Sequence, residues 1–321
     1  MNYWEYIILF ILFISIQLIY FKVAEKYNIK DKPNERSSHS TITLRGGGII
    51  FPIVIAICYS LGYINIYFTL AILLVALISF IDDIQQLPLL PRFTSHFIAV
   101  CLIFYNLQLF SHPIWILPLL FVLMIAWINA FNFMDGINGI TVLYALVTII
   151  SFTFISKLNS DIPLLYTMSI SCVVFAIFNV RKKAKTFAGD VGSISMAVFL
   201  GYFMIKTILI TEQYGYILFF SIYGIDSAFT ILTRLLKKEN ILKPHRSHLY
   251  QYLANEYKYP HILVASIYAG LQLFVNLFIL YLDSSKKLTP FIIIGLLSLL
   301  VFIYLFIRTI MVRQLNKIEL K

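Results

Sequence analysis

Eleven apolar runs, each bounded by a polar stretch, divide the chain at roughly 4–21, 45–61, 64–80, 93–110, 113–133, 137–156, 162–180, 191–210, 214–233, 259–281 and 289–307. A helix needs about 20 apolar residues to cross the ~30 Å hydrocarbon core of a bilayer, and most of these runs approach that length. A run such as Leu70–Phe80 is apolar on every side, and the strict alternation of a transmembrane β-strand is missing. The pattern therefore predicts helices. The second and third runs are short and separated by little more than Gly62. The expected fold is all-α: a polytopic membrane protein of about eleven transmembrane helices. Nothing marks off a soluble module, a low-complexity tract or a repeat, so 1–321 is read as one integral-membrane domain. The first run lacks a basic start and a small-residue cleavage site and is read as a retained helix.

Composition fits that class and no other. Of 321 residues, 60% are hydrophobic and 12% charged, and the mean hydropathy is +0.86. No water-soluble domain of this size is so apolar. Cys58, Cys101 and Cys172 fall inside apolar runs without ligand-like spacing and read as small buried hydrophobes. Charge supplies orientation. If the runs alternate in direction, loops 22–45, 81–92, 129–139, 181–190, 234–258 and the C-terminal tail share one side. That side carries 21 of the 25 lysines and arginines, which places it in the cytoplasm and the N-terminus outside. The net charge of +10 is then this bias together with attraction to anionic membrane lipid, with a basic floor for phosphates as the remainder. No soluble basic module exists to bind nucleic acid.

The residues able to do chemistry collect on that same side. Asp82 and Asp83 close the third run, pointing about 100° apart if helical, so that one can bind a metal while the other meets a substrate. A solvated helix end is the competing account of the pair. Asn129, Asn132 and Asp135 recur every three residues at the end of the fifth run and form one polar stripe on an apolar helix, suited to sugar or base edges and to a cation, or to hydrogen bonding between helices. Gly189-Asp190-Val191-Gly192-Ser193 opens the eighth run; its glycines allow close backbone approach and the helix start offers N–H groups to an anion. Asp190 can hold magnesium there or cap the helix. Arg36, His39 and Arg45 precede the second run, and His245, Arg246 and His248 lie in the last basic loop. Both sets suit phosphate, and for the first the positive-inside bias is an equal explanation. Asp226 differs, because it falls within an apolar run, where an acid is a functional candidate by default.

In order and spacing, Pro33-Asn34-Glu35-Arg36 with His39 and Arg45-Gly46-Gly47-Gly48, then Asp82-Asp83, then Asn129 to Gly139, then Phe187 to Ser193 resemble the polyprenyl-phosphate N-acetylhexosamine-1-phosphate transferases. That superfamily includes phospho-MurNAc-pentapeptide translocase and undecaprenyl-phosphate GlcNAc-1-phosphate transferases. The resemblance implies a multi-pass protein of the bacterial plasma (inner) membrane with its active site facing the cytoplasm. It implies Mg²⁺ (or Mn²⁺) as cofactor, with Asp190 as main ligand beside Asp135 and Asp83. Catalytic roles fall to Asp82, Asp83 and Asp190. Phe187 looks like the ring that stacks on uracil, and Asn129, Asn132 and Asp135 like contacts to the nucleotide sugar. Arg36, His39, Arg45, His245, Arg246 and His248 join the substrate-binding set. Two departures stand out: Asn138, where the family often has Asp, and His248-Leu249-Tyr250-Gln251 in place of His-x-His-His. The variant His-Arg-Ser-His-Leu-Tyr-Gln resembles enzymes that start O-antigen or capsule chains, some using 6-deoxy-N-acetylhexosamines.

The implied partners are a UDP-sugar, undecaprenyl phosphate and membrane lipid, and the chain is compatible with a homodimer. The implied reaction is magnesium-dependent transfer of a sugar 1-phosphate to undecaprenyl phosphate with release of UMP. A flippase for lipid-linked sugars is the rival; it needs polar residues through the membrane's full depth, and only Asp226 hints at them. If the charge argument holds, cysteines placed at Ser38, Lys183 and Lys238 are expected to react with an impermeant thiol reagent only after the inner face is opened. Labelling from outside intact cells would overturn the topology.

Overall fold

A computed structural model of the chain describes residues 3–33, 38, 41–240 and 246–319. Every apolar run becomes helical. In chain order the helices are α1 (Tyr3–Lys26), α2 (Ile50–Ser60), α3 (Ile66–Ile84), α4 (Leu89–Asn106), α5 (Ile116–Met134), α6 (Ile140–Thr153), α7 (Ile162–Asn179), α8 (Gly189–Thr211), α9 (Ser221–Leu236), a single turn α10 (Leu249–Gln251), α11 (His261–Ser284) and α12 (Pro290–Glu319). Among the described residues nine helical segments are long and apolar enough to cross a membrane; Gly47–Ser60 and Ile140–Thr153 are shorter apolar helices. Both short helices begin at a polar cluster, α2 just after the Gly46–Gly48 turn and α6 just after Asp135–Gly139.

Helix α8 is the hub. From Val191 to Met204 every residue is buried, because α2, α3, α5 and α6 all pack on it. A helix enclosed on all sides needs no polar face, which explains why its apolar residues go all round. Aromatic side chains lock the neighbours to it: Phe68 of α3 stacks on Tyr202 with ring centroids 3.9 Å apart, and the Trp127 indole of α5 donates to the Ala197 carbonyl at 2.9 Å. Helix α12 lies on the outside against α9.

Where the backbone leaves regular α-geometry inside the bundle, side chains supply the missing partners, since lipid offers none. The 3₁₀ segment Tyr214–Phe220 leads into α9. Gln272 of α11 accepts from the Ile222 N–H at 3.0 Å and donates to the Leu218 carbonyl at 2.9 Å. The same amide accepts from the Tyr144 hydroxyl at 2.7 Å and donates to Asn276 at 2.7 Å, and Asn276 donates to Ser151 at 2.9 Å. A buried polar ladder thus joins α6, α9 and α11.

The chain segments before α2 and α8 are drawn together by backbone pairing. Strands β1 (Lys30–Asp31) and β2 (Thr43–Leu44) pair antiparallel, and Leu44 accepts from the Phe187 N–H at 2.8 Å. Gly47 and Gly48 donate to the Phe187 and Ala188 carbonyls at 2.9 and 3.0 Å. Gly48 lies so close to Gly192 that an added Cβ would run into the Gly192 Cα and the Ala188 carbonyl. Both obstacles are backbone and cannot yield. Gly48→Ala is expected to destabilise by at least about 1–3 kcal/mol, read as a lower melting temperature in detergent. Gly224→Ala, in open space within α9, is the control and should be neutral or slightly stabilising.

Candidate active site

The Gly46–Gly48 turn, the end of α3, the end of α5 and the start of α8 meet at one end of the bundle. Asp83, near the end of α3, reaches across to the start of α8. Its carboxylate accepts from the Asp190 N–H at 2.9 Å, from the Val191 N–H at 3.1 Å and from Arg45 Nε at 2.7 Å. Those amides are free donors at a helix N-terminus, where a negative charge is favoured. The Asp83 side chain is fully buried. Burial opposes the charge on Arg45, but Asp83 and Asp190 outweigh it and hold the guanidinium above its ordinary pKa. Tyr20 of α1 donates to the Arg45 carbonyl at 2.5 Å and fixes the turn from behind.

Asp190 itself points the other way, into a cavity of about 490 Å³ lined by Arg45, Asn132, Asp135, Phe187, Asp190 and Gln251, among others. Its carboxylate lies 3.6 Å from an Arg45 nitrogen and stands beside Asp82. Asp82 accepts from the Leu87 N–H at 2.6 Å and lies 3.5 Å from Arg92. Asn132 accepts from Ser193 of α8 at 2.5 Å, and Asp135 from Thr141 of α6 at 2.5 Å. Burial raises Asp135 from the ordinary carboxylate value to about 6; the Thr141 hydrogen bond opposes this, the charge of Asp83 adds to it and Arg45 lowers it.

Phe187 also borders a second lobe of about 520 Å³ that includes Asn138, Lys182, Lys183, Lys258 and His261. Among the described residues, the lining of that lobe includes no Asp or Glu. Asn138 donates to the Arg181 carbonyl at 2.9 Å, a bond that a carboxylate at this position could not make. Asn179, which the sequence did not single out, clamps the same region: it accepts from the Gly139 N–H at 2.7 Å and donates to the Thr186 carbonyl at 2.9 Å.

Of the residues expected in the site, Arg45, Asn132, Asp135, Phe187 and Asp190 line one cavity, Asp82 stands beside Asp190, and Asp83 is turned to the backbone of α8 and to Arg45. Three others stand differently. The Asn129 amide donates back to the Ile125 carbonyl at 2.8 Å within its own helix. His248, expected to meet phosphate, is 1% exposed and faces Asp226, with Nδ1 3.4 Å from that carboxylate. Arg246 is half-buried in the same loop and is absent from the cavity's lining residues. Arg36, His39 and His245 lie outside the described residues. Gln251 and Gln86 reach the cavity unforeseen; Gln86 sits three residues after the acidic pair, a proximity the sequence does display. Arg92, in the sequence one basic residue of loop 81–92, sits beside Asp82.

Among the described residues no three His, Cys, Asp or Glu side chains are grouped as a metal cage. Magnesium does not require one, because it keeps waters and takes one or two carboxylates together with phosphate oxygens. Asp190, beside Asp82 and within the same cavity as Asp135, fits that habit: neighbouring carboxylates repel unless a cation or proton lies between them. Asp83 fits poorly, since both its oxygens already accept from protein donors.

With this geometry in view, the sequence comparisons define the class. Residues 46–208 match the profile of glycosyl transferase family 4, and the chain belongs to that family. It is 28% identical over 263 residues to a probable undecaprenyl-phosphate N-acetylglucosaminyl 1-phosphate transferase of Bacillus subtilis (strain 168), covering 72% of this chain and 71% of that one. It is also similar to phospho-N-acetylmuramoyl-pentapeptide-transferases. That of Dictyoglomus turgidum is 27% identical over 198 residues, 54% of this chain and 62% of the relative. That of Fervidobacterium nodosum is 28% identical over 96 residues, 30% and 31%.

The raised pKa of Asp135 carries a sign that can be checked. A carboxyl whose folded pKa lies above its unfolded value contributes stability at low pH that is lost as pH rises through about 6. Without divalent cation, wild type should lose melting temperature relative to Asp135→Asn between pH 4 and 7. Equal pH slopes for the two proteins would show that Asp135 is not the group responsible.

Proposed function

We propose that this chain transfers a sugar 1-phosphate from a UDP-sugar to undecaprenyl phosphate, releasing UMP, at the cytoplasmic face of a bacterial plasma membrane. The observation that carries the reading is the meeting of Asp82, Asp190 and Arg45 at the ends of apolar helices, around a cavity large enough for a nucleotide diphosphate. The names of the similar proteins support it. Asp226, the residue that hinted at transport, is fully buried and bonded to Tyr268 and Tyr304, which favours the transferase reading.

In this reading a phosphate oxygen of the lipid attacks the sugar-bearing phosphorus of the donor. One P–O–P bond forms as the bond to UMP breaks, and UMP carries away the bonding pair. The attack is resisted by like charge. Asp190, with Asp135 or Asp82, would hold magnesium, which would supply charge neutralisation of the diphosphate. Arg45 adds a fixed positive charge at the same place, held ready by Asp83 and therefore needing no rearrangement during reaction. Asp83 positions Arg45 and the start of α8. Asp82, with one oxygen accepting from the Leu87 N–H and the other at the longer Arg92 contact beside Asp190, is the acid placed to orient the lipid phosphate or the metal. Phe187 stacks on uracil. The sugar is an N-acetylhexosamine or its 6-deoxy form, and the product initiates a cell-surface polysaccharide such as O-antigen or capsule.

Purified protein in detergent, given undecaprenyl phosphate and a panel of UDP-sugars, should release UMP only with Mg²⁺ or Mn²⁺ present. Excess EDTA should abolish release. Asp190→Asn should lower the rate on the order of 100-fold or more while melting stays near wild type. Full activity in EDTA would sink the metal's role, and no UMP from any UDP-sugar would sink the reaction.

A further inference from the structure

Asp226 lies in the middle of α9 and is fully buried, an expensive place for a carboxylate unless it is richly bonded. It is. It accepts from the Leu249 N–H at 3.0 Å, the Tyr268 hydroxyl of α11 at 2.7 Å, the Tyr304 hydroxyl of α12 at 3.1 Å and the Thr230 hydroxyl at 3.3 Å. His248 Nδ1 stands 3.4 Å away. Charge is balanced at one remove. Arg308 of α12 donates to Tyr304 at 2.5 Å, to Thr230 at 2.9 Å and to the Ser247 carbonyl at 3.2 Å. Three helices thus converge on one turn of chain, Ser247–Leu249.

What that turn does next gives the network a purpose beyond packing. Tyr250, one residue on and fully buried, donates its hydroxyl to the Phe133 carbonyl at 2.9 Å. That hydroxyl also lies where a Cβ on Gly136 would sit. Phe133 and Gly136 flank Asp135, and Asn132 precedes Phe133. Gln251, which lines the catalytic cavity, accepts from the His248 N–H at 3.2 Å. A bonded path therefore runs from the buried acid, through the turn, to the end of α5.

We propose that Asp226 is a positioning residue: through Leu249 and Tyr250 it sets the end of α5, and so the placement of Asn132 and Asp135 in the cavity. Removing it loosens the donor side of the site. Asp82, the acid placed to orient the lipid phosphate, and the Asp83–Arg45 pair lie outside this path and stay in place. The kinetic arm of this inference rests on the transferase reading above; the structural arm does not.

Asp226→Ala removes all the acceptors, Asp226→Asn keeps one for Leu249, and Tyr250→Phe removes only the far end of the path. Tyr250→Phe is expected to raise KM for the UDP-sugar by up to about tenfold, the value of one hydroxyl bond, with KM for undecaprenyl phosphate unchanged. Asp226→Ala should show the same split with a larger loss, on the order of 100-fold in rate, and Asp226→Asn should recover part of it. The Ala and Phe changes combined should be no worse than Asp226→Ala alone. Amide hydrogen exchange in detergent should speed up in 132–137 as well as 247–251 in each variant. This measurement needs no activity, so it decides the inference even if wild type releases no UMP. Should Asp226→Ala fail to fold, Tyr250→Phe carries the test by itself. Faster exchange confined to α9, α11 and α12, or both KM values rising together, would overturn the proposal.

Discussion

One buried carboxylate holds the reactive end of this molecule together. Asp83 comes from α3, the amides it binds belong to α8 and the guanidinium beside it belongs to the turn before α2. Three segments distant in sequence are thereby fixed to one another by charge-assisted hydrogen bonds, which are shorter and stronger than neutral ones. The pairing of the Gly46–Gly48 turn with Phe187 and Ala188 follows from the same closure. So does the direction of Asp190, whose backbone is turned toward Asp83 while its side chain faces the cavity. The hub position of α8 ensures that a shift at this junction would be felt by α2, α3, α5 and α6 together.

The site balances charge by division of labour between two neighbouring acids. Asp83 is wholly bonded to protein and fully buried, whereas Asp82 keeps a weaker partnership and stands near Asp190. Both lie at the edge of the apolar region, where an unsatisfied carboxylate is costly. One acid is stabilised permanently by the fold. In the proposed reaction the others keep capacity for a cation and for phosphate oxygens. An arrangement in which all were satisfied internally would be more stable and chemically inert.

Much of this was legible in the sequence, because the constraints that dominate are local. Apolar run length predicted most of the helices to within about five residues, although α9 begins at Ser221 and α12 continues to Glu319, and part of each of several polar clusters borders one cavity. What stayed hidden was direction. Two adjacent acids announce a special helix end, but nothing in Asp82-Asp83 says which will meet the amides of a helix over a hundred residues away. His248 carried the signal of a phosphate contact and turned instead into the protein, toward an acid in α9 whose partners come from α11 and α12. Asn179 shows the same limit. Its two backbone bonds depend on where the chain folds back, and an asparagine at a helix end reveals neither. Arg36, His39 and His245 remain expectations from the sequence.

The two short helices have a consequence of their own. Helix α6 has 14 residues, about 21 Å of rise, and α2 has 11, about 17 Å, against the ~30 Å thickness of bilayer hydrocarbon. Both begin at the polar junction. The longer helices α1, α8 and α12, with 24, 23 and 30 residues, can tilt to fit a range of thicknesses; a helix that is already too short cannot. Once in a bilayer, this fold is therefore matched to thickness through its shortest members. Longer acyl chains would load strain onto α2 and α6, the helices that begin at the reactive centre.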